Sequence, residues 1–373
     1  MRATKARRPA DSGHDFFDEA GIRLACPRCR GGRSHDCAGF PCGTCGFEPR
    51  ETAGFPDFRT ASDRYLSLNQ ETRKAAKLAA FEPVESLEGL ARRYYRMTAD
   101  VSRQREERFV RHILDAKSRG HALLARLPEA GAILDVGCGT GGFVAAAAEC
   151  GRQVVGIDIA SRWLVVARKR LTPAAKPGLH RQLHHRPNKP RLIAGCAESL
   201  PFADDSFPVV VADSLLEHVE NPAQAMAEMI RVLQPGGMLV VWFPNRRWLG
   251  PDPHVGLCGL GLLPRSLASR YVSARRGPIF WPRCGTGVEW ANLAQGIDPR
   301  LEVRFQAADL SLWPGDDRSN RARTARMLGR LSRTSGLAAL LRTFGPIGEL
   351  VVRKPAAARS PAHSRRTKPG SPR

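Results

Sequence analysis

The chain has no apolar run approaching the length of a membrane span and no internal repeat. Its basic start, residues 1–10, is not followed by the apolar stretch that a secretion signal needs. With neither feature, the expected setting is a reducing cytoplasm, where paired cysteines point to metal more than to disulfides. Acidic residues are also scarce. There are 36 of them against 58 Lys and Arg, mostly Arg, which leaves a formal net charge of +22. Such an excess suits a polyanion such as RNA, or an anionic membrane surface. It also suits basic tails alone, because the densest runs lie at the ends and in the loop 176–191 rather than on one helix face.

What is present fills 373 residues, enough for a full α/β core with one or two small appendages. Residues 1–20 read as a flexible leader, and residues 354–373 as a disordered basic tail rich in Pro, Ser and Arg. Residues 21–60 are rich in Cys, Gly and Pro with little periodicity. Residues 61–125 read as helical, with 91–114 a stretch of few breakers carrying Phe109, Ile113 and Leu114 at helical spacing. From 126 to 353, strands alternate with helices, and a substrate-region insertion spans 246–300. Strands are expected at 132–136, 153–159, 191–194, 208–212, 238–243, 301–307 and 349–352. Helices are expected at 143–150, 161–171 (with Ser161 as N-cap), 222–233 (stopped by Pro235-Gly236-Gly237) and 319–342. Continuous apolar strands alternating with helices imply a doubly wound, mostly parallel, seven-stranded sheet covered on both faces.

The segment Leu134-Asp135-Val136-Gly137-Cys138-Gly139-Thr140-Gly141-Gly142 closes the first of these strands. Gly137, Gly139 and Gly142 fit Gly-x-Gly-x-x-Gly, and Asp158 lies about twenty residues on, at the end of the next strand, as in a dinucleotide fingerprint. Asp135 separates the two readings. A carboxylate at the mouth of the loop repels a pyrophosphate but favours the ammonium and sulfonium of S-adenosylmethionine (SAM). The glycines let backbone approach the methionine portion, and Asp158 can accept bonds from both ribose hydroxyls.

Further segments carry a resemblance: Val155-Gly156-Ile157-Asp158, Ala197-Glu198-Ser199-Leu200-Pro201-Phe202-Ala203-Asp204-Asp205-Ser206-Phe207, Glu217-His218-Val219 and Arg231-Val232-Leu233-Gln234-Pro235-Gly236-Gly237. Together with the glycine loop, over about residues 105–245, they resemble class I SAM-dependent methyltransferases with a type 11-like core. That broad group includes small-molecule and quinone methyltransferases. The resemblance implies cofactor contacts at Cys138 and Ile159, and at Cys196 and Ala197 beside the adenine. It also implies that Asp213, Ser214 and Leu215 line the cofactor's reactive end. The family usually has Asp where Cys196 stands. A thiol accepts hydrogen bonds poorly, so adenine is held by backbone here, or SAM binds less tightly.

Cys26-Pro27-Arg28-Cys29 and Cys42-Gly43-Thr44-Cys45 are separated by twelve residues. Two such knuckles can present four thiolates to a structural zinc ion, in a segment with little else to bury. His35 and Cys37 lie between them as substitute ligands. The module resembles ribbons fused to the N-terminus of several bacterial methyltransferases, and Gly54-Phe55-Pro56-Asp57-Phe58 resembles the exit that follows them.

For catalysis, an oxygen acceptor can need a base. His218 lies just past a strand end, at the carboxyl edge, although this His often packs beneath the cofactor in the family. His254 lies in the insertion, in a region that also holds Trp242, Trp248, Trp281 and the apolar run 257–263, which reads as an acceptor pocket or as a packed loop. Tyr94 and Tyr95 can close that pocket or belong to the core. The first functional expectation is methyl transfer from SAM to a small-molecule, lipid-linked or glycan-linked acceptor. An RNA methyltransferase using the ribbon and basic surface is the second, although an Asn-Pro-Pro-Tyr-type motif is absent. A non-catalytic binding module on the same fold is the third.

Overall fold

The computed structural model of the chain describes residues 21–31, 41–98, 101–129, 131–172, 190–277, 282, 284–309, 327, 330 and 335–356. A nine-stranded sheet runs through it: β1 (Arg50–Thr52), β2 (Phe55–Asp57), β3 (Ile133–Val136), β4 (Val154–Asp158), β5 (Arg191–Ala194), β6 (Phe207–Asp213), β7 (Leu233–Pro244), β8 (Glu302–Ala307) and β9 (Ile347–Arg353). The order is β1-β2-β5-β4-β3-β6-β7-β9-β8. Strands β3 to β7 run parallel, while β9 lies antiparallel to both β7 and β8. The expected seven strands are therefore present as β3 to β9. Beyond them, the hairpin β1–β2 adds to the free edge of β5 through the pairing of Asp57 with Ala194. Covering that edge satisfies backbone groups that would otherwise template another chain.

Residue type follows position in the sheet. Every residue of β3 and β4 is buried, as expected of strands covered on both faces, whereas β8 alternates exposed and half-buried residues at the far edge. Strand order reverses between β3 and β6, so their carboxyl ends diverge into a crevice. Asp135 lies near the end of β3, and Asp213 closes β6.

The helices are α1 (Leu68–Phe81), α2 (Leu87–Arg96), α3 (Arg103–Leu124), α4 (Gly142–Glu149), α5 (Ser161–Leu171), α6 (Pro222–Val232), α7 (Arg265–Arg276), α8 (Gly287–Ile297) and α9 (Ser335–Phe344). Four local expectations are corrected. The stretch 91–114 is two helices, because Ser102 caps α3 by accepting from Arg105 N. Ile113 is buried there, but Leu114 is 37% exposed. Ala160, not Ser161, is the N-cap of α5; the Ser161 hydroxyl is buried and reaches Glu71 instead. Finally, Pro235-Gly236-Gly237 lies inside β7, which starts at Leu233 with a register shift against β6. Of the helix expected at 319–342, most lies outside the described residues.

Two contacts tie the helical segment to the sheet layer. Backbone meets backbone where α3 crosses α4: a Cβ on Gly142 would stand 2.5 Å from Ala116 O, and one on Gly120 would stand 2.7 Å from Gly142 O. Only glycine permits that approach. Arg162 of α5 holds Asp63 at 2.9 Å and also pairs with Glu71 of α1, all three buried. Removing one member of such a group strands a buried charge, at a cost of about 3–5 kcal/mol.

Residues 21–31 and 41–58 do not stand apart as a self-contained module. Ile22, Cys26, Cys42, Phe47 and Phe58 belong to the main core, together with Leu134, Val210 and Phe243. Ala25 N donates to Pro201 O at 3.1 Å and Phe58 N to Ala194 O at 2.8 Å. This segment thus gains burial from the sheet that its own composition does not supply. Among the described residues, no helix is long and apolar enough to cross a membrane.

Candidate functional site

The loop after β3 turns back on itself through left-handed backbone. Gly137 has φ +77° and Gly139 φ +51°, a region that costs an L side chain about 1–2 kcal/mol. A Cβ on Gly137 would meet Leu215 Cδ1 at 2.7 Å, so the loop lies directly against the loop after β6. A Cβ on Gly139 would find nothing nearer than Gly137 O at 4.0 Å, so this backbone faces open space. Asp158, at the end of β4, holds the turn: Oδ2 accepts from Gly139 N and Oδ1 from Ala160 N, both at 2.8 Å. Burial lifts its pKa to about 6 against the pull of those two N–H groups.

Asp135 is 3% exposed, and its Oδ2 makes no hydrogen bond. Burial and the nearby charges of Asp213 and Asp158 drive its pKa well up, opposed by Arg119. Arg119 reaches in from α3 to pair with Asp213 at 3.0 Å. Three carboxylates therefore share the crevice with one paired guanidinium. That arrangement attracts a cationic ligand and repels a pyrophosphate. Ser214 adds a left-handed backbone at φ +57°, rare for a residue other than glycine, and its hydroxyl donates to Asp213 Oδ1 at 3.0 Å.

At the corner beside the ends of β4 and β5, Ile159 is half-buried while Cys196 and Ala197 are buried. The Cys196 thiol donates to Ala61 O at 3.8 Å, so it faces the segment leaving β2. Arg59 of the same segment donates to Ile159 O at 3.2 Å and pairs with Asp57, which burial would raise but Arg59 and Thr52 hold low. The corner is thus bounded by residues 57–61, which have no counterpart in the glycine-loop motif.

On the other side of the crevice, His218 and His254 meet. Their ring centroids are 5.1 Å apart at 80°. Between them stands Glu217, 2% exposed, with neither carboxylate oxygen hydrogen-bonded. Glu217 Oε1 lies 3.9 Å from His218 Nε2 and 4.0 Å from His254 Nε2. Tyr65 Oη is 2.7 Å from His218 Nδ1. Burial pushes Glu217 up to about 8 and His218 down to about 3, and it lowers His254. Glu217 stood in the motif without a role, and Tyr65 and Arg119 carried no signal; a buried acid beside two histidines separated by 36 positions appears only on folding.

The insertion is divided: Trp290, Ala291 and Ala294 join the main core, while an earlier part has a small core of its own. Val255, Leu260, Ala268 and Val272 form a core against which Leu257 and Leu263 pack. Beside it lies a small cleft of about 30 Å³, lined by Pro244, Trp248, Asp252, Leu263 and Cys284 among others. Trp242 does not line this cleft: it is buried in β7 and donates to Glu349 Oε2 at 2.8 Å. Trp281 and nearly all of the basic loop 176–191 lie outside the described residues. Tyr94 and Tyr95 pack away from the cleft, against each other, Trp163 and Phe109.

Cys26, Cys29, Cys42 and Cys45 come together with all sulfurs within 4.8 Å. The Cys26–Cys45 and Cys29–Cys42 pairs are 3.6 Å apart. Sulfurs bound tetrahedrally at about 2.3 Å to one ion stand about 3.8 Å apart, so these two pairs are close to the spacing of a zinc site. His35 and Cys37 lie outside the described residues.

Comparison with known proteins adds an independent line. Residues 134–241 match the family described as "Methyltransferase domain". An uncharacterized methyltransferase of Mycobacterium leprae is 33% identical over 186 residues, covering 46% of this chain and 63% of that protein. A demethylmenaquinone methyltransferase of Renibacterium salmoninarum is 36% identical over 165 residues, covering 42% and 63%. The chain therefore spans less than two thirds of the length of these relatives. Among solved structures, a SAM-dependent methyltransferase of Mesorhizobium loti matches with a TM-score of 0.41 and 20% identity, over 64% of this chain and 98% of that one.

Proposed function

We propose that this chain, which carries a methyltransferase domain over residues 134–241, moves a methyl group from SAM to a small-molecule, lipid-linked or glycan-linked acceptor. The observation that carries this reading is the orphaned, buried Asp135 Oδ2 among three carboxylates at a left-handed glycine loop. A cationic ligand supplies the missing partner, and SAM brings an ammonium and a sulfonium. Asp158, fixed by two N–H groups, keeps lone pairs for the ribose hydroxyls. The open space at Gly139 leaves room for the methionine portion. Residues 57–61, Ile159 and Ala197 would bound the adenine, with Cys196 turned to Ala61 and acceptance left to backbone. Cys138, Gly137 and Gly142 would shape the loop, and Asp213, Ser214 and Leu215 would line the reactive end.

SAM supplies an activated methyl group when bound, so the protein's task is placement of the acceptor near the S–CH3 bond. The cleft beside the insertion, where Trp248, Leu260 and Leu263 lie among Arg246, Asp252 and Arg265, supports an acceptor with apolar and polar parts, and His218 and His254 would stand on the acceptor's side. Spacing and sulfur distances support a structural zinc on the four cysteines. Isothermal titration with SAM tests the cofactor. Binding with a dissociation constant below about 1 mM is expected, and its absence there overturns the reading. Tritiated SAM incubated with lipid, glycan and RNA fractions sorts acceptors: label entering RNA would transfer the proposal to the RNA class, which the net charge of +22 favours.

A further inference from the structure

We propose that Glu217, His218 and His254 form a second metal site, a mononuclear centre for a divalent transition-metal ion such as Zn2+, open towards the acceptor. It rests on the methyl-transfer reading only for its role, not for its existence.

The three ligand atoms lie within 4.8 Å of one another. Around an ion with bonds of about 2.1 Å, such atoms stand about 3.0–3.5 Å apart. The two carboxylate–imidazole separations, 3.9 and 4.0 Å, lie about half an ångström to one ångström outside that range, within reach of side-chain adjustment. The satisfaction of the polar atoms points the same way. Both Glu217 oxygens and His254 Nε2 are buried with no hydrogen bond. A protonated Glu217 would not resolve this, since at those distances its O–H reaches neither imidazole. A cation at the centre satisfies all three at once.

The supports around the ligands match those of a metal site. Tyr65 Oη lies 2.7 Å from His218 Nδ1, and accepting from Nδ1–H there leaves the Nε2 lone pair directed at Glu217. Asp252 fixes the turn that carries His254, its Oδ1 accepting from His254 N at 2.8 Å and Val255 N at 2.9 Å. Asp213 and Asp252 add negative charge beside Glu217. The nearby cations are engaged elsewhere, Arg108 with the Pro253 carbonyl and Arg64 with Glu220. Two imidazoles and a carboxylate suit a borderline divalent ion, in contrast to the all-sulfur ribbon. Three protein ligands leave positions open, as in catalytic rather than structural sites.

An oxygen-bearing acceptor is the substrate class this centre would take. A hydroxyl bound to the ion gives up its proton to solvent near neutral pH. Its oxygen pair then forms the O–CH3 bond, while the C–S bond breaks with its pair left on sulfur. The product is an ether and S-adenosylhomocysteine.

Equilibrium dialysis of the full chain against Zn2+, with metal counted per chain, tests the site. Relative to wild type, His254→Ala and the near-isosteric Glu217→Gln should each lose about one equivalent. SAM affinity, measured on the same samples, should stay within about twofold and serves as the check on folding. Unchanged stoichiometry in both variants overturns the proposal. Loss of the equivalent in both variants when the wild type itself binds no SAM leaves the metal site standing, with far-ultraviolet circular dichroism as the check on folding, and sinks the methyl-transfer reading instead. Catechol added to Co2+-loaded wild type should perturb the visible spectrum, and the perturbation should vanish in His254→Ala. A spectrum insensitive to catechol in wild type removes the open positions and with them the oxygen-acceptor role.

Discussion

Asp158 and Glu217 are both carboxylates buried at the carboxyl edge of one sheet, and they are satisfied in opposite ways. Asp158 takes two backbone N–H bonds from residues close to it in the motif, Gly139 and Ala160. Glu217 takes none and sits between imidazoles from two loops. The first arrangement is complete in the protein and offers a ligand its spare lone pairs. The second is incomplete and calls for a charge from outside. On the proposed reading, two ligand chemistries divide the crevice: a hydrogen-bonded cofactor side built by the motif, and a charge-hungry acceptor side built by long-range contact.

Substitutions on the two sides should separate this division, beginning with the largest effect. Asp158→Ala removes the acceptor for both ribose hydroxyls and unpins Gly139. Charged hydrogen bonds contribute about 1.5–3 kcal/mol, so SAM affinity by titration calorimetry should drop about 100-fold. A loss below threefold would mean that Asp158 only braces the loop. Asp135→Asn should weaken SAM about tenfold while the urea midpoint at neutral pH holds or rises, because a buried acid held well above its ordinary pKa costs stability there. A fall in both would make Asp135 a structural group. Gly139→Ala places a side chain at φ +51° and in the open space facing the ligand, for about 1 kcal/mol, or about fivefold in SAM affinity. The smallest effect belongs across the crevice. His254→Ala should leave SAM affinity within about twofold, and a tenfold loss would show the two sides to be one site.

Much of the fold was legible because it is written in contiguous runs. Runs such as 208–212 and 238–243 are apolar throughout, and a parallel sheet covered on both faces follows from that pattern. What went unread depends on partners distant in sequence. Ser161 looks like a cap, but Ala160 takes that position, and burial turns the hydroxyl to Glu71 of a remote helix. Trp242 looks like pocket lining beside Trp248, but its place on β7 sends its N–H to Glu349. Residues 21–60 read as a module in need of metal for want of a core, yet Ile22, Phe47 and Phe58 borrow one from the sheet. Cys196 looks like a weakened adenine contact, and the fold gives its thiol a partner at Ala61.

The sequence by itself determined the glycine loop, its two acids and the four-cysteine cluster. In each, the chemistry needs fixed residue types at short spacing, and short spacing survives without knowledge of the fold. Only the tertiary structure decided that His218 and His254 share one buried acid, that Tyr65 backs one of them, and that Arg119 pairs with Asp213. Those contacts join segments as much as 153 positions apart. Nothing local marks them, because they exist only once the sheet has set its strand order and the helices have closed over its edge.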